Sequence, residues 1–182
     1  RDSIPFLKTT YPAQEKRFIL KDFLENDPGA DFEGLYNIIG NFPYNISSQI
    51  MFKVLEQKNR IPYVVGMFQK EVAQRAASKE GSKVYGVLSV LMQAYYEIEY
   101  LFDVSNECFD PPPKVQSGVI RMKRKATALN YKSDRAFWVL VKTAFNQRRK
   151  VMRNSLKSLM QTTTNDIPYL DKRPEQLSWK QF

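Results

Sequence analysis

The apolar and polar positions of the chain fall into short runs whose period changes several times. Residues 35–39 form an apolar run closed by Gly40, the length and ending of a buried strand. A Ser-rich entry to Gln49-Ile50-Met51-Phe52 then predicts a helix over 47–57. Residues 63–68 predict a second buried strand, and 72–78 and 87–94 predict helices with a loop over 81–86 between them. Residues 95–104 are strand-like. Residues 115–122 alternate enough to close the sheet as an antiparallel partner. Earlier in the chain, Ile4, Leu7 and Tyr11 sit at helical spacing before Pro12, residues 17–21 predict a short strand ending at Asp22, and Asp27-Pro28-Gly29 is a turn signal. Strands alternating with helices predict a three-layer, largely parallel α/β sheet. Beyond a linker over 123–133, Phe137, Leu140, Val141 and Ala144 mark the apolar face of a helix. Arg135, Lys142, Asn146, Arg149 and Arg153 recur on another face if that helix runs on or restarts near Arg148. The expected organisation is an α/β domain over 1–125 and a small all-α domain over 126–182.

Charge sharpens that division. Residues 1–113 carry 12 Lys and Arg against 15 Asp and Glu, a balance of −3, whereas residues 114–182 carry 16 against 4, a balance of +12. A near-neutral core followed by a basic segment points to a polyanion as partner, against the plainer reading of a merely soluble basic surface. The 182 residues contain one cysteine, Cys108, and no histidine. An internal disulfide, a His-based triad and a His metal cluster are therefore excluded, and no metal is expected. Any chemistry must rest on positioning and on carboxylate, amide or aromatic groups. Without an apolar run of about 18 residues or a signal-like N-terminus, the expectation is a soluble, cytoplasmic protein with no membrane association.

The candidate chemistry centres on Asn41-Phe42-Pro43-Tyr44, on the loop after the strand at 35–39. Open α/β sheets place ligands at the carboxyl ends of their strands. An exocyclic amine on a nucleobase is a poor nucleophile because its lone pair is delocalised into the ring. The Asn41 side-chain oxygen and the Phe42 backbone carbonyl can each accept one N–H of such an amine, Pro43 stiffens the turn, and Tyr44 offers a ring on which a flipped base stacks. The competing reading is an ordinary strand-to-helix loop with a capping Asn and a core Tyr. Farther on, Phe109 precedes Asp110 and three prolines, whose stiff backbone fixes a neighbouring ring at little entropic cost; the alternative is a Phe that plugs the core. In Phe145-Asn146-Gln147-Arg148-Arg149-Lys150, three consecutive cations make a phosphate-binding patch, with Asn146 and Gln147 available to sugar or base edges, against a solvated charged face.

Asn41-Phe42-Pro43-Tyr44-Asn45-Ile46-Ser47 resembles the catalytic motif of the ribosomal RNA adenine N6 dimethyltransferases, although Phe is less common than Leu at the second position. Residues 109–117 match that family's Phe-x-Pro-Pro-Pro-Lys-Val-x-Ser run throughout. Residues 145–150 look like the hallmark of its small-subunit branch, which Gln69-Lys70-Glu71-Val72 and Arg173-Pro174-Glu175-Gln176-Leu177-Ser178 also resemble. The resemblance implies a Rossmann-like class I methyltransferase sheet with a helical C-terminal domain, S-adenosyl-L-methionine as cofactor, and dimethylation of two neighbouring adenines near the 3′ end of small-subunit RNA in a 30S assembly intermediate. By the same resemblance, Asn41, Phe42, Pro43, Tyr44 and Phe109 are catalytic, with Phe109 the second wall of the base pocket. Asp22 and Asn41 bind the cofactor, though Asp22 also reads as a simple turn residue. Lys114, Asn146, Gln147, Arg148, Arg149, Lys150 and Arg153 contact RNA, and a monomer is expected. Two rivals stand beside this reading: a non-catalytic ribosome-assembly factor and a large-subunit resistance methyltransferase. The family's opening strand, Gly-rich loop and first acidic residue have no counterpart here. The sheet is thus expected to be shortened at its N-terminal side, and the polypeptide by itself to bind cofactor poorly and methylate nothing.

Overall fold

The structure, a computed structural model, describes residues 3–25, 30, 33–126, 133–160 and 167–182. Contacts divide them into two compact units, with the boundary between Glu33 and Gly34. The first unit holds α1 (Ser3–Thr10) and a 3-10 turn over Pro12–Arg17. The strand expected at 17–21 does not form. Phe18 is extended, with φ −88° and ψ 102°, but residues 18–22 join no ladder among the described residues. A short extended run without a paired neighbour gains no inter-strand hydrogen bonds, and β-propensity alone does not make a strand. Asp22 accordingly sits in a turn, its Oδ1 accepting the Leu24 N–H at 2.7 Å. The turn expected at 27–29 and most of the 123–133 linker lie outside the described residues.

The second unit is built on four strands in the order β1-β2-β4-β3: β1 (Ile38–Asn41), β2 (Tyr63–Gln69), β3 (Tyr96–Val104) and β4 (Ser117–Arg124). β1 runs parallel to β2, with Asn41 opposite Met67. β4 runs antiparallel to both β2 and β3, and Ser117 stands opposite Gln69 on one side and Val104 on the other. Among the described residues one of the three pairings is parallel, a correction to the largely parallel sheet expected, while the antiparallel place expected for residues 115–122 is borne out. The reason lies in the faces. Val64, Phe68, Ile120 and Met122 are buried on one side, whereas Ile39, Tyr63, Arg121, Lys123, Glu97 and Glu99 are exposed. A sheet with one open face favours antiparallel pairing and alternation, and the Glu97, Glu99, Arg121 and Lys123 spacing carries that signal.

Helices α2 (Ser47–Glu56), α3 (Lys70–Ala77) and α4 (Val87–Tyr95) start and stop close to the predicted positions. α3 lies across β2, β4 and β3, α4 packs on α3, and α2 and α5 (Asp134–Asn146) pack on α4. The C-terminal segment is knitted to the sheet unit. Tyr95 donates its hydroxyl to Asp134 Oδ1 at 2.7 Å, Lys58 pairs with Asp134 Oδ2 at 2.6 Å, and the buried Tyr85 hydroxyl donates to the Leu177 carbonyl at 3.0 Å. Ala144, Met152, Leu156, Leu170 and Leu177 form a small core of their own, but the contacts do not divide at 125/126.

One packing detail sets the loop after β1. The Phe42 ring turns inward and stacks on Phe68, with centroids 4.9 Å apart and planes at 19°. It lies over Gly40 and Gly66: a methyl group on Gly66 would fall 2.5 Å from Phe68 and 2.7 Å from Phe42 ring atoms. The two glycines form the slot that admits the ring. Gly66→Ala is expected to cost about 1–3 kcal/mol in urea unfolding through overpacking. Phe42→Leu in that background should recover part of it, whereas equal losses in both backgrounds would contradict the slot.

Candidate active site

With the Phe42 ring anchored in the core and its N–H bonded to the Met67 carbonyl at 3.1 Å, one more hydrogen bond follows the end of β1 before the chain turns. Pro43, at φ −59° and ψ 135°, opens a 3-10 turn over Tyr44–Ile46 that feeds α2. The Ser47 hydroxyl donates back to the Pro43 carbonyl at 3.3 Å. Neither helical start has a side-chain cap, so Asn41 is no capping residue. Its amide is exposed and makes no hydrogen bond among the described residues. Tyr44 is half-buried, and its hydroxyl lies 2.5 Å from the hydroxyl oxygen of the buried Ser117.

The proline-rich loop meets this turn from the other side. After β3, Ser105 caps a 3-10 turn over Asn106–Cys108, and the Phe109 N–H donates to the Asn106 carbonyl at 3.2 Å. Asn106 Nδ2 donates to the Pro113 carbonyl at 3.3 Å, across a loop in which the Asp110–Pro111 bond is cis. Lys70, first residue of α3, staples the exit: its ammonium donates to Asp103 Oδ2 at 2.7 Å and to Gln116 Oε1 at 2.8 Å. The Lys70 ammonium and, after it, the Tyr100 hydroxyl hold the Asp103 carboxyl below the usual carboxylate range. Between the loops opens a cavity of about 400 Å³ lined by Asn41, Phe42, Pro43, Tyr44, Phe109, Asp110, Pro111 and Pro113. Phe109 is half-buried in its wall rather than plugging the core. All five residues read from sequence as catalytic therefore border one space. Asp22 belongs to the other unit.

The basic run is arranged differently from its expectation. α5 ends at Asn146, residues 147–150 form a turn closed by the Lys150 N–H on the Gln147 carbonyl at 2.8 Å, and α6 (Met152–Ser155) begins after it. The cations thus project from a turn, not from a continuous helix face. Asn146, Gln147, Arg149, Lys150, Arg153 and Lys114 are exposed. Arg148 turns inward, donating to Glu175 Oε2 at 2.8 Å and to the Lys83 and Ser82 carbonyls at 2.8 and 3.4 Å. A second cavity, of about 610 Å³, adds Arg75, Lys83, Phe52 and Val84 beside it. Sequence reasoning gave no role to Lys70 or Ser117, although both lie in runs it quoted.

A model of the family described as ribosomal RNA adenine dimethylase matches residues 5–173. The chain belongs to this family. Among curated members, the ribosomal RNA small subunit methyltransferase A of Parabacteroides distasonis is 51% identical across all of this chain and 69% of its own length. The protein of the same name from Cytophaga hutchinsonii is also 51% identical, across all of this chain and 70% of its own. Two solved structures share the fold at 21% identity. A dimethyladenosine transferase from Plasmodium falciparum has a TM-score of 0.72 over 88% of this chain and 67% of that one, and the 23S rRNA methyltransferase ErmE one of 0.70 over 97% and 76%. The fold is the Rossmann-like one of the dimethylase family. Within it, Arg148 is distinguished from its neighbours by a measurement of stability. Arg148→Gln is expected to lose about 1–3 kcal/mol of unfolding free energy by stranding Glu175 and two carbonyls. Arg149→Gln and Lys150→Gln should stay within about 0.5 kcal/mol of wild type, and equal losses at all three positions would contradict the internal brace.

Proposed function

We propose that the chain is the S-adenosylmethionine-dependent enzyme that dimethylates the N6 amines of two adjacent adenines near the 3′ end of small-subunit ribosomal RNA. The observation that carries this reading is the convergence of the free Asn41 amide with Tyr44 and Phe109 on one cavity. Membership in the adenine dimethylase family and relatives named as small-subunit methyltransferases support it. Those names also favour it over a large-subunit target, and the free Asn41 amide over a purely binding role.

Each element then has a task. Tyr44 and Phe109 take the flipped base between their rings; such stacking contributes about 1–3 kcal/mol per base. Asn41 Oδ1 and the Phe42 carbonyl accept the two N–H bonds of the amine, which favours its pyramidal form and directs the lone pair out of the ring plane. The inward-turned Phe42 ring holds that carbonyl in place. S-adenosylmethionine, when bound, supplies an electrophilic sulfonium methyl, and the exposed amide of Asn41 at the cavity suits its polar groups. Water removes the proton, because methylation makes the N–H acidic. Exposed Lys114, Arg149, Lys150 and Arg153, together with Asn146 and Gln147, contact RNA phosphates and sugars and fix its register, while Arg148 serves that surface by bracing the turn. We place the protein in the cytoplasm, as a monomer on a 30S assembly intermediate.

Methylation assays on 30S and 50S precursors with the intact protein test the substrate. Dimethyladenosine on small-subunit RNA alone is expected, and methylation of 50S RNA alone would refute the reading. Asn41→Ala should lower turnover by about 10²-fold or more, the scale of a lost preorganised polar contact in a transition state, while RNA affinity in a filter-binding assay stays unchanged. Near-normal turnover would remove Asn41 from the mechanism.

A further inference from the structure

We propose that Ser117 is a positioning residue for this reaction: its hydroxyl fixes the place of the Tyr44 ring on which the target base stacks. The proposal rests on the functional reading above. Ser117 is the first residue of β4, is 0% exposed, and has its Oγ 2.5 Å from the Tyr44 hydroxyl. A tyrosine ring turns about two bonds. With the backbone held by the 3-10 turn over Tyr44–Ile46, rotation about Cα–Cβ would swing the hydroxyl away from Ser117, so that contact keeps the ring in one place. Burial alone would not achieve this, because Tyr44 is half-buried and borders the open cavity.

Ser117 is itself held from three sides. It pairs with Gln69 on β2 and with Val104 on β3. Next to Gln69, Lys70 gives its backbone N–H to the Gln116 carbonyl at 2.9 Å and its ammonium to Gln116 and to Asp103, the neighbour of Val104. The Gln69-Lys70-Glu71-Val72 run borders no part of the cavity, yet it secures the strand end that secures Tyr44. A ring preset at the stacking position acts on turnover, because small misplacements of a reacting group cost rate. RNA affinity rests on the phosphate contacts of the exposed cations and is left alone.

The test uses the intact protein, 30S particles and four variants: Ser117→Ala, Ser117→Thr, Tyr44→Phe, and Ser117→Ala with Tyr44→Phe. Ser117→Ala and Tyr44→Phe are each expected to lower kcat about tenfold, the scale of one hydrogen bond lost from a positioned group, with KM for the particle unchanged. Ser117→Thr, which keeps a hydroxyl, should recover most of the rate, and the double variant should be no slower than either single one. Unchanged kcat, a change confined to KM, or losses that multiply in the double variant would each overturn the proposal. If Ser117→Ala does not fold, Tyr44→Phe breaks the same contact from the solvent side and decides alone. A second readout needs no substrate: in NMR spectra the Hα–Hβ couplings of Tyr44 should report one side-chain rotamer in wild type and averaged rotamers in Ser117→Ala. Equal couplings in both overturn the role of Ser117 whatever the activity, whereas a single rotamer in a protein that methylates no small-subunit RNA would defeat the functional reading instead.

Discussion

The site depends on the register of β2, which pairs with β1 along one edge and with β4 along the other. Asn41 stands opposite Met67, and two residues later Gln69 stands opposite Ser117. Because β1 is parallel and β4 antiparallel to β2, the end of one and the beginning of the other arrive at the same end of the sheet. The loop that follows β1 and the loop that precedes β4 therefore meet, although 73 positions separate Tyr44 from Ser117. A slip of one residue in β4 would turn Ser117 to the opposite face and break the contact. That sensitivity explains why the strand entrance is stapled by Lys70 rather than left to fray.

Around that junction the chain separates anchoring from presentation within single short runs. In residues 41–44, Phe42 is driven into the core between Phe68 and two glycines, and this leaves its neighbours Asn41 and Pro43 exposed and Tyr44 at the cavity edge. The same division appears at residues 148–150, where Arg148 is fixed by Glu175 and two carbonyls while Arg149 and Lys150 face solvent. In each case a buried or braced residue sets the geometry that its exposed neighbours use. The +12 balance of residues 114–182 gives the second of these surfaces its long-range attraction for a polyanion.

Much of this was legible in the sequence. The helices at 47–57, 72–78 and 87–94 and the strand at 63–68 carry apolar periods strong enough to locate them within a few residues, and the motif residues Asn41, Tyr44 and Phe109 do converge. What failed did so for physical reasons. The run 17–21 has strand composition, but a strand also needs a partner, and pairing is not written locally. Residues 115–122 do close the sheet antiparallel, as their alternation indicates, but expecting the rest to be largely parallel overlooked that the charged residues of β3 alternate too, which marks an open face. The basic run was set on a helix face because Arg135, Lys142, Asn146, Arg149 and Arg153 recur at helical spacing, yet α5 ends at Asn146 and residues 148–150 occupy a turn before α6. No local pattern announces that Arg148 points inward, or that Ser117 will find Tyr44, since both depend on tertiary neighbours far away in sequence.

The most direct measurement is a crystal structure of the intact protein with an RNA oligonucleotide carrying the two target adenines. The account predicts one adenine extruded between Tyr44 and Phe109, its N6 amine on Asn41 Oδ1 and the Phe42 carbonyl, with the Tyr44 hydroxyl still on Ser117. An adenine bound elsewhere, or a Tyr44 ring that leaves Ser117 to meet the base, would contradict it.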